Sequence, residues 1–268
     1  MLEASFSCFK GFSNSAEQKI WQLGCLAWKN ISYLPPGTFS PNKTRLLEAE
    51  ISRAKIAYQA ELPDYFIQRF ERADKVRVLR DFQDRSAVID IETTGLGRKD
   101  RITTIALLKN GAIHVFVNGI DIDNFLSMLK GIHLLITFNG TRFDLPFLRK
   151  YFSIDLSLPH LDLMPVMNAL GYKGGQKKCE RLARMHRTFS QGDSGKDAVH
   201  LWKQWEAKRN LEALQKLVIY NAEDVFMLEK LAVMAYNRVM QTYPMEILLK
   251  SSVKMQALSL DLIDCNVL

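Results

Sequence analysis

Three short stretches carry the residues that could do chemistry. The first is AVIDIETTG, Ala87–Gly95, an apolar run that closes by placing Asp90 and Glu92 two residues apart before a Thr-Thr-Gly turn. Side chains two apart on a strand share a face, so the two carboxylates stand side by side while Ile89 and Ile91 face the other way. Coulomb repulsion disfavours such a pair unless the acids share a proton or bind a cation, and an oxygen-only pair suits Mg²⁺ or Mn²⁺. A strand end running out into solvent also carries such pairs. The second stretch is TFNGTRFDLPFL, where Asn139 and Gly140 turn the chain after an apolar run and Asp144 stands just before Pro146. Proline favours the first turn of a helix, which sets Asp144 at a helix start, as a cap or as a site residue. The third is LVIYNAEDVFML, in which Tyr220 and Asp224 are four apart and adjacent on one helical face. An acid and a phenol beside a core need either a partner or solvent. Glu223 and Glu229 read as surface charges.

The elements that must position these residues follow from periodicity. SAVIDIE, RITTIALLKN and AIHVFVNG are three consecutive strand patterns separated by Gly, Asn and charged turns. IDNFLSMLK reads as a helix, HLLITFNG as a strand, DLPFLRKYF as a helix, PHLDLM as a short strand, and residues 211–240 as a long helix. Three meandering strands followed by alternating helices and strands predict an α/β mixed sheet flanked by helices, the succession of a ribonuclease-H-like fold. Residues 85–240 would form this domain. Residues 1–84 read as a helical N-terminal appendage, with Asn14 as N-cap and Glu17 as its capping-box partner. Residues 241–268 form a tail in which MEILLKSSVKMQAL has helical character.

Asp90-x-Glu92, then Asn139-x-x-x-Phe143-Asp144, then Tyr220-x-x-x-Asp224, in this order and on strand, helix start and late helix, resemble the three exonuclease motifs of the DEDD (DnaQ-like) superfamily. The tyrosine is that of the DEDDy branch, to which the proofreading domains of family B DNA polymerases belong. Over most of the chain the sequence resembles the YprB-like family of ribonuclease-H-fold proteins, in FVNG, TFNGTRFDLPFLRKYF, PHLDLMPV, LGYKGGQKKCERL, DAVHLWKQWE and YNAEDVFMLEKLAVMAYN. The resemblance implies a 3′→5′ exonuclease acting on DNA or RNA at a single-stranded 3′ end. It also implies two Mg²⁺ or Mn²⁺ ions held by Asp90, Glu92, Asp144 and Asp224, with Tyr220 orienting the attacking water. Two divalent ions suit phosphodiester hydrolysis on chemical grounds too, because nucleophile and substrate are both anionic. A phenol with a pKa near 10 is a poor base at neutral pH, which casts Tyr220 as a positioner.

Weaker signals surround this core set. Thr93, Thr94 and Gly95 let the chain leave the sheet tightly, where the resemblance brings the terminal nucleotide close; Asn139 holds its turn or touches substrate. In LGYKGGQKKCERLARMHR, Lys173, Lys177, Lys178, Arg181 and Arg184 either contact phosphates or line a solvated helix face. His160 and Asp162 suit structural hydrogen bonding, and neither His186 nor His200 is in register to serve as a base beside Asp224. FKGFSNSAEQKIWQLGCLAWKNI resembles half of a helix-hairpin-helix DNA-binding motif, with Ser13 in place of the second glycine. The 268 residues carry a formal charge of +7, which favours a polyanionic partner. No run approaches the ~18–20 apolar residues of a membrane span, no signal peptide opens the chain, and four dispersed cysteines offer no zinc spacing, so a soluble cytoplasmic protein is expected. Two rival readings are a non-catalytic nucleic-acid-binding scaffold on the same fold and a structure-selective endonuclease. The endonuclease would not account for Tyr220 with Asp224.

Overall fold

The computed structural model describes residues 1–97, 99–190, 195–241, 243–244, 249 and 263–264. Up to Arg85 the described chain forms only helices and turns: α1 (Asn14–Gln22), α2 (Pro41–Gln59), α3 (Pro63–Ile67), α4 (Leu79–Phe82) and short 3₁₀ segments between them. Ser13 rather than Asn14 caps α1, its hydroxyl accepting from the Ala16 N–H at 3.4 Å. Glu17 is not a capping-box partner. Its carboxylate is buried, accepts the N–H groups of Phe6 and Ser7, and pairs with the Arg77 guanidinium at 2.9 and 3.1 Å. Arg77 is 0% exposed and lies over the rings of Phe70 and Tyr243. Phe9, Phe12, Ile20, Trp21 and Trp28 are buried as well, so the segment resembling a DNA-binding hairpin turns its apolar face into the core.

The sheet begins with β1 (Ser86–Thr93), β2 (Ile102–Lys109) and β3 (Ala112–Val117), an antiparallel meander. Asn110 and Gly111, with φ of 52° and 79°, make the two-residue turn between β2 and β3, where both positions demand the left-handed region. After α5 (Phe125–Met128), β4 (Leu134–Thr137) pairs parallel to β1; α6 (Asp144–Phe152) then leads to β5 (His160–Asp162), parallel to β4. The chain continues through α7 (Leu163–Ala169), α8 (Gln176–Leu182), α9 (Gly195–Lys208) and α10 (Leu211–Met240), and β6 (Ile263–Asp264) adds to β3, giving the order β5-β4-β1-β2-β3-β6. This is the expected mixed sheet flanked by helices. The helical pattern expected in residues 245–258 falls almost wholly outside the described residues.

Alternation along β1 decides which side of the sheet holds the acids. Ala87, Ile89 and Ile91 pack with α5 and α6, while Val88 joins the core beneath α10, so Asp90 and Glu92 face α10. That core is continuous with the N-terminal helices. From Tyr220 to Glu229 every residue of α10 is buried, so Glu223 and Glu229 are not surface charges. A helix apolar on all sides is enclosed, and acids within it must be satisfied from neighbouring elements. Among the described residues, no helix is long and apolar enough to cross a membrane, and Cys8, Cys25 and Cys179 are buried thiols.

Candidate active site

Asp90 and Glu92 on β1 meet Asp224 on α10. One carboxylate oxygen from each lies within 4.8 Å of the others. Asn221, one turn before Asp224 on the same helix, donates through Nδ2 to Asp90 Oδ2 at 2.8 Å and fixes that carboxylate against the helix. Asp144, the first residue of α6, stands beside this trio rather than within it. Pairing of β1 with β4 ends at Val88 and Ile136; further along β1 the Ile91 N–H donates to Asp144 Oδ1 at 3.2 Å. The helix start thereby completes the strand edge, and Asp144, 2% exposed, is still close enough to repel Asp90.

The electrostatics are those of negative charge that neighbouring cations compensate only in part. Burial raises the pKa of Asp90 well above the carboxylate range, with Asp224, Asp144 and Glu92 adding to the effect. Glu92 is raised by burial and then by Asp224. Burial pushes Asp144 up to about 7. Asp224 is raised by burial too, although Arg187 and Lys177 oppose it. Like charges this close and largely shielded from solvent favour a cation beside them or a shared proton.

Two protein cations approach the cluster, and the sequence reading placed neither there as an ion-pair partner. Lys177 on α8 donates to the Tyr220 hydroxyl at 2.7 Å and lies 4.0 Å from the ring centre. Burial lowers its pKa, while Asp224 and Glu92 pull the other way. Lys177 therefore lines the candidate site rather than a solvated face, whereas its neighbour Lys178 is exposed. Arg187 grips Glu180 of α8 with two hydrogen bonds of 2.7 Å and pairs with Asp224 Oδ1 at 2.5 Å. Burial works against its charge, but Glu180 and Asp224 outweigh burial and keep it protonated. Tyr220 has its pKa driven far upward by burial and by Asp224, Glu92 and Asp90, so its proton stays on oxygen.

Glu223 sets the loop that delivers Arg187. Its carboxylate accepts the N–H groups of Thr188, Phe189 and Ser190 at 2.6, 3.1 and 2.8 Å and the Ser190 hydroxyl at 2.5 Å. Burial raises its pKa, yet these bonds to the ionised form win and the net shift is downward. The signal for Glu223 was in the sequence: an acid inside an all-apolar helical stretch must be paired. Arg187 gave none, since it reaches Asp224 from a loop 37 residues away.

The remaining predicted residues build turns. The Thr93 hydroxyl donates to the Gly95 carbonyl at 2.6 Å and the Thr94 hydroxyl to Asp100 at 2.8 Å. A Cβ on Gly95 would come within 2.7 Å of the Asp100 carboxylate, so glycine here makes room for a protein group. Asn139, at φ 64°, has its N–H held by Asp162 Oδ1 at 2.8 Å, and Thr141 N–H donates to Asp162 Oδ2 at 3.2 Å. The His160 ring bonds the Thr137 hydroxyl at 2.7 Å, and that hydroxyl accepts the Gly140 N–H at 3.1 Å. Asp162 and His160 thus carry the structural hydrogen bonds expected of them. His200 bonds Gln204 on its own helix.

The donor set fits a hard divalent cation: three converging carboxylates, oxygen only, whose charge Arg187 and Lys177 offset only in part. A family model described as the RNase H superfamily matches residues 87–236. Among solved structures, the family B DNA polymerase from the hyperthermophilic archaeon Pyrobaculum calidifontis is similar over 57% of this chain and 26% of its own, at 16% identity and a TM-score of 0.40. Brucella melitensis NrnC is similar over 61% of this chain and 79% of its own, at 20% identity and a TM-score of 0.39. The chain spans about a quarter of the polymerase's length. No curated protein sequence matches it. The family match takes in β1, which carries the first two acids, and the part of α10 that carries the last, over more than half of the residues, and the chain belongs to the RNase H superfamily.

Proposed function

We propose that this protein is a metal-dependent 3′→5′ exonuclease that hydrolyses phosphodiester bonds of DNA or RNA from a single-stranded 3′ end. The observation that carries the reading is the convergence of Asp90, Glu92 and Asp224 within 4.8 Å, with Tyr220 one turn before Asp224. Asp90, Glu92 and Asp224 would hold two Mg²⁺ or Mn²⁺ ions together with Asp144 from the edge of the cluster. Bound divalent cations supply neutralisation of the phosphodiester and activation of water.

The chain's own groups do the rest. Lys177 donates to the Tyr220 oxygen, which leaves the phenol's hydrogen to be donated onward. Tyr220 therefore aligns a water or phosphate oxygen as a hydrogen-bond donor and does not act as a base. Asn221 holds Asp90 in the orientation that faces Asp224. Arg187 and Lys177 bring fixed positive charge to a phosphate entering between the acids. Thr93, Thr94, Gly95 and Asn139 shape the two turns that flank the strand ends, where the terminal nucleotide would lie; Lys178 sits at the exposed rim.

The test is incubation with 3′- and 5′-labelled single-stranded DNA and RNA in Mg²⁺, Mn²⁺ or EDTA. A ladder shortening from the 3′ end, absent in EDTA and reduced at least about 10³-fold in Asp90→Ala, is the expected result. A second reading, a non-catalytic nucleic-acid-binding protein on this fold, draws support from the Arg187–Asp224 pair, which already partly neutralises one acid. Binding without cleavage in every metal would select it.

A further inference from the structure

Behind the loop that carries Arg187 lies an open cavity of about 770 Å³, bounded by α10 and by the chain around residues 184–188. Lys230, Met234 and Arg238 follow one another at four-residue spacing and share a face of α10. Arg184 stands on the opposite wall, and Tyr172 and Met185 add apolar surface. Among the described lining residues there is no Asp or Glu. Arg184 and Arg238 are exposed, and Lys230 rests over the Phe226 ring at 4.4 Å.

The cavity is separated from the candidate site by the loop that carries Arg187. Thr188 lines it, its N–H is held by Glu223 at 2.6 Å, and the preceding residue is the Arg187 that meets Asp224. At 1.5 Å per residue, Lys230 lies about 9 Å along the helix from Asp224 and Arg238 about 21 Å. The roughly 12 Å between them leaves room for a short run of phosphodiester backbone.

We infer that this groove is the track for the body of a single-stranded nucleic acid whose end lies at the carboxylates. Arg184, Lys230 and Arg238 contact its phosphates, and Tyr172 offers a ring to a base. The inference deepens the exonuclease reading by assigning the path of the strand. Clustered cations without acids suit a polyphosphate chain; an acidic peptide or a second copy of this chain would be the other occupants.

Binding in EDTA separates the two claims, because no cleavage is needed. Anisotropy of labelled oligothymidylate and oligouridylate is followed against NaCl for the full chain and for Arg184→Gln/Arg238→Gln, whose exposed positions spare the fold. Each lost phosphate contact flattens the log–log salt slope by about 0.7, so the double variant is expected to flatten it by about 1.4 and to bind at least about tenfold more weakly at low salt. Its turnover of a dinucleotide, too short to enter the groove, should match that of the parent. An unchanged slope and affinity overturns the groove, as does equal retention of polyglutamate, or self-association that the variant abolishes without any oligonucleotide binding. If the double variant shows that flattening and weaker binding while the parent cleaves neither substrate, the groove stands and the nuclease reading falls.

Discussion

The Tyr220 hydroxyl lies between opposite charges, with the Lys177 ammonium 2.7 Å away and Asp224 one turn along the helix. Removing the hydroxyl should leave the acids in place. Tyr220→Phe is expected to lower turnover about 10²-fold while Mn²⁺ affinity, measured by calorimetry, stays as in the parent; unchanged turnover would remove the positioning role. Asp144 supports a second test at this scale. Its pKa is pushed from 3.8 up to about 7 by burial, so in the metal-free protein it binds a proton that the unfolded chain has already released. Stability contributed by this group therefore falls as pH rises from about 4 to about 7 and is level above. Three units correspond to about 4 kcal/mol at most. In EDTA, Asp144→Asn and the parent should melt together near pH 4, with the variant melting higher near pH 8; equal melting near pH 8 would mean the charge is already compensated. The positions of the acids and the tyrosine were legible in the sequence because they depend on spacing within a strand or a helix. The contacts of Arg187, Glu180 and Asn221 were not, because they arise only where α8, α10 and a loop come together.

At the scale of elements, the strand ends hold the acids and the turns hold the strand ends. Gly140 shows how tight this is, since a Cβ there would lie 2.0 Å from the buried Thr137 hydroxyl. The 188–190 loop depends instead on one carboxylate. Glu223→Gln exchanges an acceptor of four hydrogen bonds for an amide whose NH₂ opposes backbone N–H groups, and should destabilise by about 2–3 kcal/mol. Hydrogen exchange at 188–190 should accelerate before global unfolding; protection equal to the parent would mean that packing alone fixes the loop. The five main strands and α10 could be read from periodicity, helped by the Asn110–Gly111 turn. Helix α8 was legible only as a charged face, because GGQKKCERL is polar and opens on two glycines; its packing arises where Cys179 and Glu180 are buried and Gln176 donates to the Asp224 carbonyl at 2.8 Å. A contact of that kind leaves no periodic trace.

At the scale of the molecule, the core under α10 runs without a break into the N-terminal helices, so the stability of the carboxylate site is tied to residues far from it in sequence. Arg77 is the point where this coupling is most exposed to test. Its guanidinium is fully buried and is matched by Glu17, by the Ser5 and Ser7 hydroxyls, and by Asp74 at 3.8 Å. Asp74 also accepts from Tyr243, which follows α10. Taking away Glu17 leaves a buried cation short of its main counter-charge, which costs about 3–5 kcal/mol, whereas replacing both charges with apolar groups of similar volume is often neutral. Glu17→Ala should lower the melting temperature by about 10 °C, at roughly 2–4 °C per kcal/mol for a chain of this size. Glu17→Leu/Arg77→Met should recover much of that loss. If the core is one cooperative unit, Mn²⁺ binding and far-ultraviolet circular dichroism will be lost together in the Glu17→Ala melt. Retention of Mn²⁺ binding above the temperature at which the helical signal falls would mean that the sheet and α10 hold the site without the N-terminal helices.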